Sequence, residues 1–406
     1  MKAMVLGGVA PHIELLNLLK GKGYETILVD YLEEPPAKDY ADIFIRESTL
    51  DKEKVLELAK QYQIDLIMTI CVDHANVTMC DVAEKLQLPV PYSLEVAMNT
   101  TDKSRMKKVM KENGVPTSDY YVIKKQDCIP EDIHYPVVVK PVDCNGSKGI
   151  RKADNYDELI QALPEAFSFT RKGEVIIEGF NDGFEIQVDC FANHGEANVL
   201  MIREKLPMPR GNSIALQSRG SLTPARISED CKNEIYKIAD KIAKGFKLEH
   251  TPFFFQAITD GNKVMVLELS PRIGGGLSYK LLKKQTDFDV IEAIYQSYFG
   301  NLDQISICAK DQYLLTTILY GINGKFDHIT GIEELIKNGT IDDFDLMAEK
   351  GREFGNVLDS RNRIGAYFIS DSSYNSLLNK AQTAKQEIQV LDSDGQSVLF
   401  PIQADL

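Results

Sequence analysis

The stretch Val264-Met265-Val266-Leu267-Glu268-Leu269-Ser270-Pro271-Arg272-Ile273-Gly274-Gly275-Gly276 sets a carboxylate inside an apolar run, then a hydroxyl, a guanidinium and three glycines. A buried acid is costly unless a cation or a donor meets it. Glu268 is therefore a candidate metal ligand and Arg272 a candidate anion clamp. Gly274, Gly275 and Gly276 mark a place where backbone can approach a ligand and present N–H groups to a carboxylate, or a hinge after the strand. Metal, anion and bare backbone together suggest phosphate chemistry.

Further residues share that chemistry. Lys140 ends the buried run Val137-Val138-Val139, where a lysine either snorkels to the surface or meets an anion. The glycine loop that follows offers backbone N–H groups around Gly146 and the Ser147 hydroxyl, the material of a phosphate nest. It is not a Walker A loop, because G-x-x-x-x-G-K-[ST] occurs nowhere in the chain. Glu178 ends Val175-Ile176-Ile177, and Glu185 heads the next strand. Both could be solvated strand ends. A purine site would instead use one acid for the exocyclic amine, adjacent backbone for the ring edge, and a second acid for ribose hydroxyls. Gln256 lies on a hairpin with Glu268, turned at Asp260-Gly261. The two can share a metal only if both face the same side of the sheet, which predicts an irregular turn around residues 260–263.

The elements that must position these groups are legible in outline. Residues 1–92 alternate short apolar strands with amphipathic helices, the rhythm of a parallel, doubly wound, Rossmann-like sheet. Gly7-Gly8 after the first strand and Asp30 closing the second form a partial dinucleotide fingerprint, without the full G-x-G-x-x-G. A tight turn that binds no cofactor competes with a nicotinamide site there. Residues 93–304 form a second unit, in which Asp102 caps a helix running to Glu112. Residues 305–406 mix short strands and helices in a third, with no cluster of chemical groups.

Composition narrows the partners. The chain has 406 residues and a net charge of −14, so it lacks the basic surplus a general nucleic-acid or anionic-membrane binder needs. No apolar run approaches the length of a spanning helix, and the first residues lack a signal pattern. Seven scattered cysteines form no C-x-x-C pair, as expected of reduced thiols in a cytoplasmic protein. Six isolated histidines show no zinc spacing.

The ordered set Asp102-Lys103, Val138-Val139-Lys140-Pro141, the glycine–serine loop, Glu178-Gly179-Phe180-Asn181 with Glu185, and Glu268-Leu269-Ser270-Pro271-Arg272 resembles the ATP-grasp superfamily. Each motif alone is weak; their order and gaps are specific. The likeness covers about residues 1–300. It implies an α/β and α+β chain: a Rossmann-like domain at 1–92, an ATP-grasp domain at 93–304 with two α+β subdomains sandwiching ATP and a lid near 116–184, and a C-terminal α+β extension at 305–406. Among subfamilies, the long C-terminal segment looks like that of L-amino-acid ligases and related carboxylate–amine ligases.

The resemblance also implies roles. Lys103 and Lys140 would contact ATP phosphates, with Gly146 and Ser147 in the loop closing over them. Glu178 and the backbone of Phe180 would bind adenine, and Glu185 the ribose. Glu268 would bridge two Mg²⁺ ions (Mn²⁺ being an alternative), with Gln256 and Ser270 completing the set. Arg272 would stabilise the transferred phosphoryl group or the carboxylate substrate. The polar region around residues 203–221 would border the acceptor pocket, with Arg203 in a catalytic or substrate-anion role and Arg219 and the three glycines on the substrate side. Ser270 stands where Asn is usual, and Gln256 where Glu or Asp often stands. Both departures remove negative charge or ligand strength from the metal site. The expected reaction joins a small carboxylate to an amine at the expense of ATP. A purine-pathway ligase, akin to phosphoribosylamine–glycine ligase or carboxyaminoimidazole ribonucleotide synthase, stays open as an alternative. So does a nucleotide-binding sensor without turnover. Homodimers are common in the superfamily, and a dimer is an open expectation here.

Overall fold

The computed structural model describes residues 1–144, 149–208, 218–302, 304–356 and 360–401. Near the N-terminus, β1 (Lys2–Leu6), β2 (Glu25–Asp30), β3 (Ile43–Arg46) and β4 (Leu66–Met68) form a parallel sheet in the order β3-β2-β1-β4. Helices α1 (Pro11–Gly21), α2 (Lys52–Tyr62) and α3 (Asp73–Leu86) connect and flank it. β1 and β4 are almost wholly buried, which explains why they read as unbroken apolar runs rather than alternating ones. Asp30 turns its carboxylate back on the first glycine turn and accepts from Gly8 N (2.7 Å) and Leu32 N (2.8 Å). A Cβ on Gly8 would stand 2.6 Å from Pro35. The protein's own acid and proline thus fill the partial fingerprint.

Two helices, α4 (Leu94–Thr101) and α5 (Lys103–Glu112), lead towards the lid. Asp102 caps α5 by accepting from Ser104 N (2.9 Å) and Arg105 N (3.1 Å). The lid is an antiparallel sheet of β5 (Tyr120–Lys124), β6 (Val137–Pro141), β7 (Arg151–Ala153) and β8 (Glu174–Gly179), in the order β5-β8-β6-β7. Helix α6 (Tyr156–Phe169) covers one face, and Leu159, Ala162 and Ala166 join Val137, Val139, Val175 and Ile177 in a separate small core.

The large sheet contains β9 (Phe184–Asn193), β10 (Glu196–Pro207), β11 (Ser218–Thr223), β12 (Thr251–Thr259), β13 (Val264–Ser270) and β14 (Tyr313–Tyr320). Its order is β13-β12-β9-β10-β11-β14, continued by the strands Arg363–Asp371 and Asp343–Leu346. The division expected at 304/305 therefore marks no break in this sheet, because β14 hydrogen-bonds directly to β11. Helix α7 (Glu229–Gly245) packs across it, capped by Ser228 and burying Cys231, Ile235, Ile238 and Ile242 along one stripe. Helices α8 (Ser278–Thr286) and α9 (Val290–Ser297) follow the glycine stretch beyond β13. One apolar core runs from Met4 and Leu6 of the first sheet through Met106 of α5 to Val188, Phe255 and Ile238.

The β12–β13 hairpin differs from expectation in where it is irregular. Thr259 pairs with Val264 and Ala257 with Val266, but Gln256 pairs with Glu268. Leu267 is the extra residue, a β-bulge. The four-residue turn at 260–263 keeps the pairing parity of a two-residue turn, with Asp260 Oδ1 accepting from Asn262 N and Lys263 N (both 2.8 Å). The bulge in the strand, rather than the turn, sets Glu268 opposite Gln256.

Candidate active site

Cross-strand register assembles a polar row on one face of the large sheet. Glu268 stands opposite Gln256, Gln256 opposite Gln187, and Gln187 opposite Arg203. Glu185 and Asp189 flank Gln187 on the same strand face, and Lys205 lies two residues beyond Arg203. Lys205 Nζ pairs with Glu185 Oε1 at 2.7 Å. The Gln256 amide, oriented to satisfy both neighbours, donates to Glu268 Oε1 (2.8 Å) and accepts from Lys205 Nζ. Lys103 Nζ, at the first turn of α5, stands 3.8 Å from Glu268 Oε2 and donates to Cys144 O (2.8 Å). Acids and cations thus alternate from Glu185 to Lys103.

A second cluster lies at the root of the lid. Glu178 is 4% exposed, and its Oε1 accepts from Lys140 Nζ at 2.6 Å. Its Oε2 lies 2.9 Å from Lys107 Nζ. That approach is a charge contact rather than an aligned hydrogen bond, for Lys107 donates to Thr117 Oγ1 (2.5 Å) and Val266 O (3.4 Å). Burial alone would push the Glu178 pKa up, but the two ammonium groups overcome it and hold the carboxyl down at about 2. Burial also pulls Lys107 down to about 8, against the pull of Glu178. Two buried cations share one buried acid, leaving a positive surplus in a dry place. Such a surplus calls for an anion, since an unpaired buried charge is strongly destabilising.

The strand that carries Glu268 is tied to the N-terminal domain. Arg272 donates to Asp73 through Nε (2.5 Å) and Nη2 (2.6 Å), and Ser270 Oγ donates to the same carboxylate (2.7 Å). The Arg272 guanidinium also lies over the Phe254 ring, 4.9 Å from its centroid. Burial works to raise the Asp73 pKa, yet Arg272 outweighs it and the net shift is downward. Asp73 opens α3, so the contact joins the first and second domains.

Arg203 is similarly engaged. Its Nε donates to Asp189 Oδ2 (2.9 Å), and its Nη2 to Asp189 Oδ1 (3.1 Å) and Ser278 Oγ (3.0 Å). Gly274 closes over this pair: a Cβ there would stand 2.5 Å from Ser278 Oγ and 2.7 Å from Gln187 Nε2. The glycine is needed for that close approach. Gly275 has open space around its Cα, and Gly276 adopts φ +61°.

Lys103, Glu185, Gln256 and Glu268 therefore join in one row along the large sheet, while Lys140 and Glu178 meet at the lid root, linked to β13 through Lys107. Ser270 and Arg272 adjoin that row but turn to Asp73, so Ser270 Oγ is engaged away from Glu268 and Gln256. Phe180 lies on the crossing out of the lid, its N–H bonded to Pro136 O (3.0 Å) and its ring 4.6 Å from Lys152 Nζ. Beside it opens a cavity of about 200 Å³, lined in part by Ile258 and Met265. Arg219 sits half-buried on β11, three strands from Gln256. Gly146 and Ser147 lie outside the described residues, as does Arg210. Sequence reasoning did not single out Lys107, Asp73, Gln187 or Asp189. The one available signal for Lys107 was its spacing of four from Lys103, which places both on one face of α5.

The donor set beside Glu268 fits a hard cation. The Glu268 carboxylate is the kind of ligand Mg²⁺ favours, whereas the Gln256 amide oxygen faces Lys205 and would have to turn to join it. Among the described residues, no three His, Cys, Asp or Glu side chains are grouped to hold a metal by themselves. No helix among the described residues is long and apolar enough to cross a membrane.

This architecture, a small lid sheet over a large antiparallel sheet after a Rossmann-like domain, defines the ATP-grasp fold, and residues 133–280 match the family described as the ATP-grasp domain. The chain carries that domain. It is 29% identical over 210 residues to the D-alanine–D-alanine ligase of Thermosipho africanus, covering 48% of this chain and 56% of that one. It is 24% identical over 321 residues to the carbamoyl phosphate synthase large chain of Pyrococcus furiosus, covering 76% of this chain but 29% of that one. The chain thus spans only part of the length of these two relatives. The L-amino acid ligase structure from Bacillus licheniformis superposes with a TM-score of 0.80 at 19% identity, covering 96% of this chain and 98% of that one.

Proposed function

We propose that the chain is an ATP-dependent carboxylate–amine ligase acting on a small acid, in the first instance an amino acid, through an acyl phosphate. The observation that carries this reading is the pairing of two charge clusters across one cleft. The lid root holds surplus positive charge at Lys140 and Lys107, and Lys103 faces Glu268 from the start of α5. A nucleoside triphosphate complements both.

In this reading Glu178 accepts from the adenine amine and Glu185 from the ribose, while Lys103 and Lys140 bind phosphate oxygens. Glu268 and Gln256 would hold Mg²⁺, which supplies charge neutralisation at the phosphates when bound. Carboxylate oxygen is a poor leaving group. Its attack on the γ-phosphorus, with ADP departing, yields an acyl phosphate whose phosphate leaves readily. The amine then attacks the carbonyl carbon and expels phosphate. Lys103, Lys140 and Arg272 lower the repulsion between the two anions. Arg203 and the Gly274 backbone lie on the side where the acid or amine would enter.

The Gly7-Gly8 turn bears on the substrate class. Its Gly8 N–H already serves Asp30, so this turn does not offer itself as a phosphate subsite, which favours a small acid over a phosphoribosyl substrate. The test is release of ADP and phosphate from ATP and Mg²⁺ across pairs of all proteinogenic amino acids. Silence in every pair defeats the amino-acid form. Turnover in a panel of purine intermediates would move the assignment there, and tight Mg·ATP binding without turnover under any acceptor would favour a sensor.

A further inference from the structure

Lys107 is the cation for which the ligase reading provides no task. It is 1% exposed and shut away beneath the lid root. A leucine or methionine would fill the same space at lower cost, because burying an ammonium is expensive unless its partners are good. Its partners come from three places. Thr117 lies where the chain enters the lid, Val266 O is on β13 two residues before Glu268, and Glu178 is the last residue but one of β8, just before the chain leaves the lid. Both crossings are stapled at this point. Val266 N donates to Pro116 O (2.7 Å), Thr117 Oγ1 to Val266 O (2.8 Å), and Asn181 Nδ2 to Ser118 Oγ (2.6 Å).

Glu178 has two cations, and they differ in what else they can do. Lys140, on β6 and 5% exposed, has Glu178 as its partner, and in the ATP reading incoming phosphates would compete with Glu178 for its ammonium group. Lys107 is held from behind by Thr117 and a backbone carbonyl. If Lys140 were the sole partner, nucleotide binding would strip a buried carboxylate of its counter-ion. The acid would then take up a proton or swing away, and in either case it would lose its power to accept from an exocyclic amine.

We propose that Lys107 is a positioning residue of the nucleotide site, keeping Glu178 charged and aimed while Lys140 is given over to phosphate. This rests on the ATP reading and assigns base recognition to the pair rather than to Glu178 alone. The expected consequence is selectivity: without Lys107, the protein should lose its preference for adenine over a base that presents a carbonyl at the same edge.

The experiment is calorimetric titration of the full chain with Mg·AMP-PNP and Mg·GMP-PNP, for wild type, Lys107→Met, Glu178→Gln and the double variant. Lys107→Met should weaken AMP-PNP binding about tenfold and shrink the preference over GMP-PNP, and the double variant should bind no worse than Glu178→Gln, as non-additive partners do. Lower thermal stability with the adenine preference intact would reduce Lys107 to a structural cation and overturn the proposal, as would additive losses in the double variant. An unchanged preference in Glu178→Gln would instead remove the adenine role of Glu178, a failure of the ATP reading itself. Should Lys107→Met not fold, Thr117→Val removes the hydroxyl that orients Lys107 and keeps its charge. A reduced adenine preference there supports the proposal, and an unaltered one overturns it.

Discussion

Arg272 and Asp73 hold each other through two hydrogen bonds, 2.5 and 2.6 Å long, although 199 residues separate them in sequence. The strand that bears Glu268 is thereby anchored to the first turn of a helix in the N-terminal domain. A guanidinium locked by a bidentate carboxylate presents its remaining face in one orientation. Asp73→Asn should therefore lower kcat by about tenfold to a hundredfold while leaving nucleotide affinity within about threefold, since mispositioning rather than lost binding is the defect. Steady-state kinetics beside a nucleotide titration checks this. An unchanged kcat would make the contact a domain staple only.

Gln256 stands between Lys205 and Glu268 and touches both. Gln256→Leu removes the proposed amide ligand and leaves Lys205 and Glu268 without their bridge. The Mg²⁺ concentration for half-maximal turnover should rise several-fold, with turnover largely recovered at saturating metal. A Mg²⁺ titration of ADP release reads this directly, and an unaltered metal requirement would take Gln256 out of the site.

Gly274→Ala would drive a Cβ to 2.5 Å from Ser278 Oγ and 2.7 Å from Gln187 Nε2. Overpacking of this kind costs about 1–3 kcal/mol, so the melting temperature should fall by several degrees. Adding Ser278→Ala should restore part of the loss by removing the nearest atom. Thermal denaturation of the single and double variants decides it.

Acid should act on the lid root. Glu178 has its pKa depressed from 4.5 to about 2, so the folded state binds its proton less readily than the unfolded chain does. The stability it contributes is fully present above about pH 4.5 and is lost as pH falls towards 2. Glu178→Gln lacks this dependence. Denaturation midpoints of wild type and variant should therefore converge as pH is lowered from 7 to about 3. A gap that stays constant would show that the carboxylate is not held ionised.

The sequence exposed those site residues that break a local pattern. Glu268 is an acid in an apolar run, Lys140 a cation ending one, and Glu178 an acid ending another. Lys107 breaks nothing locally. It sits among Lys103, Lys108 and Lys111 on a helix that reads as solvated, and only the packing of α5 decides that Lys103 and Lys107 are the buried ones. Asp73 likewise reads as an ordinary acid in a helix's first turn until Arg272 arrives from the other domain. The Leu267 bulge was legible as a requirement, since Gln256 and Glu268 need a common face, but its place in the strand was not. Helix α7 was not among the elements expected from the sequence, although its apolar stripe of Ile235, Ile238 and Ile242 behind a Ser228 cap was the signal that could have found it. The joining of β14 to β11 leaves no such local sign, because strand pairing depends on distant partners.

The ATP site as a whole rests on Glu268. The most direct measurement is titration of AMP-PNP into wild type and Glu268→Ala, each with and without Mg²⁺, alongside ATP turnover with an active acid–amine pair. A metal-bridging Glu268 predicts metal-dependent binding in the wild type, at least about tenfold weaker in the variant, and loss of turnover there by about a hundredfold or more. A Glu268→Ala protein that binds the nucleotide with the same metal dependence and retains full turnover would contradict the metal assignment, and most of the site with it.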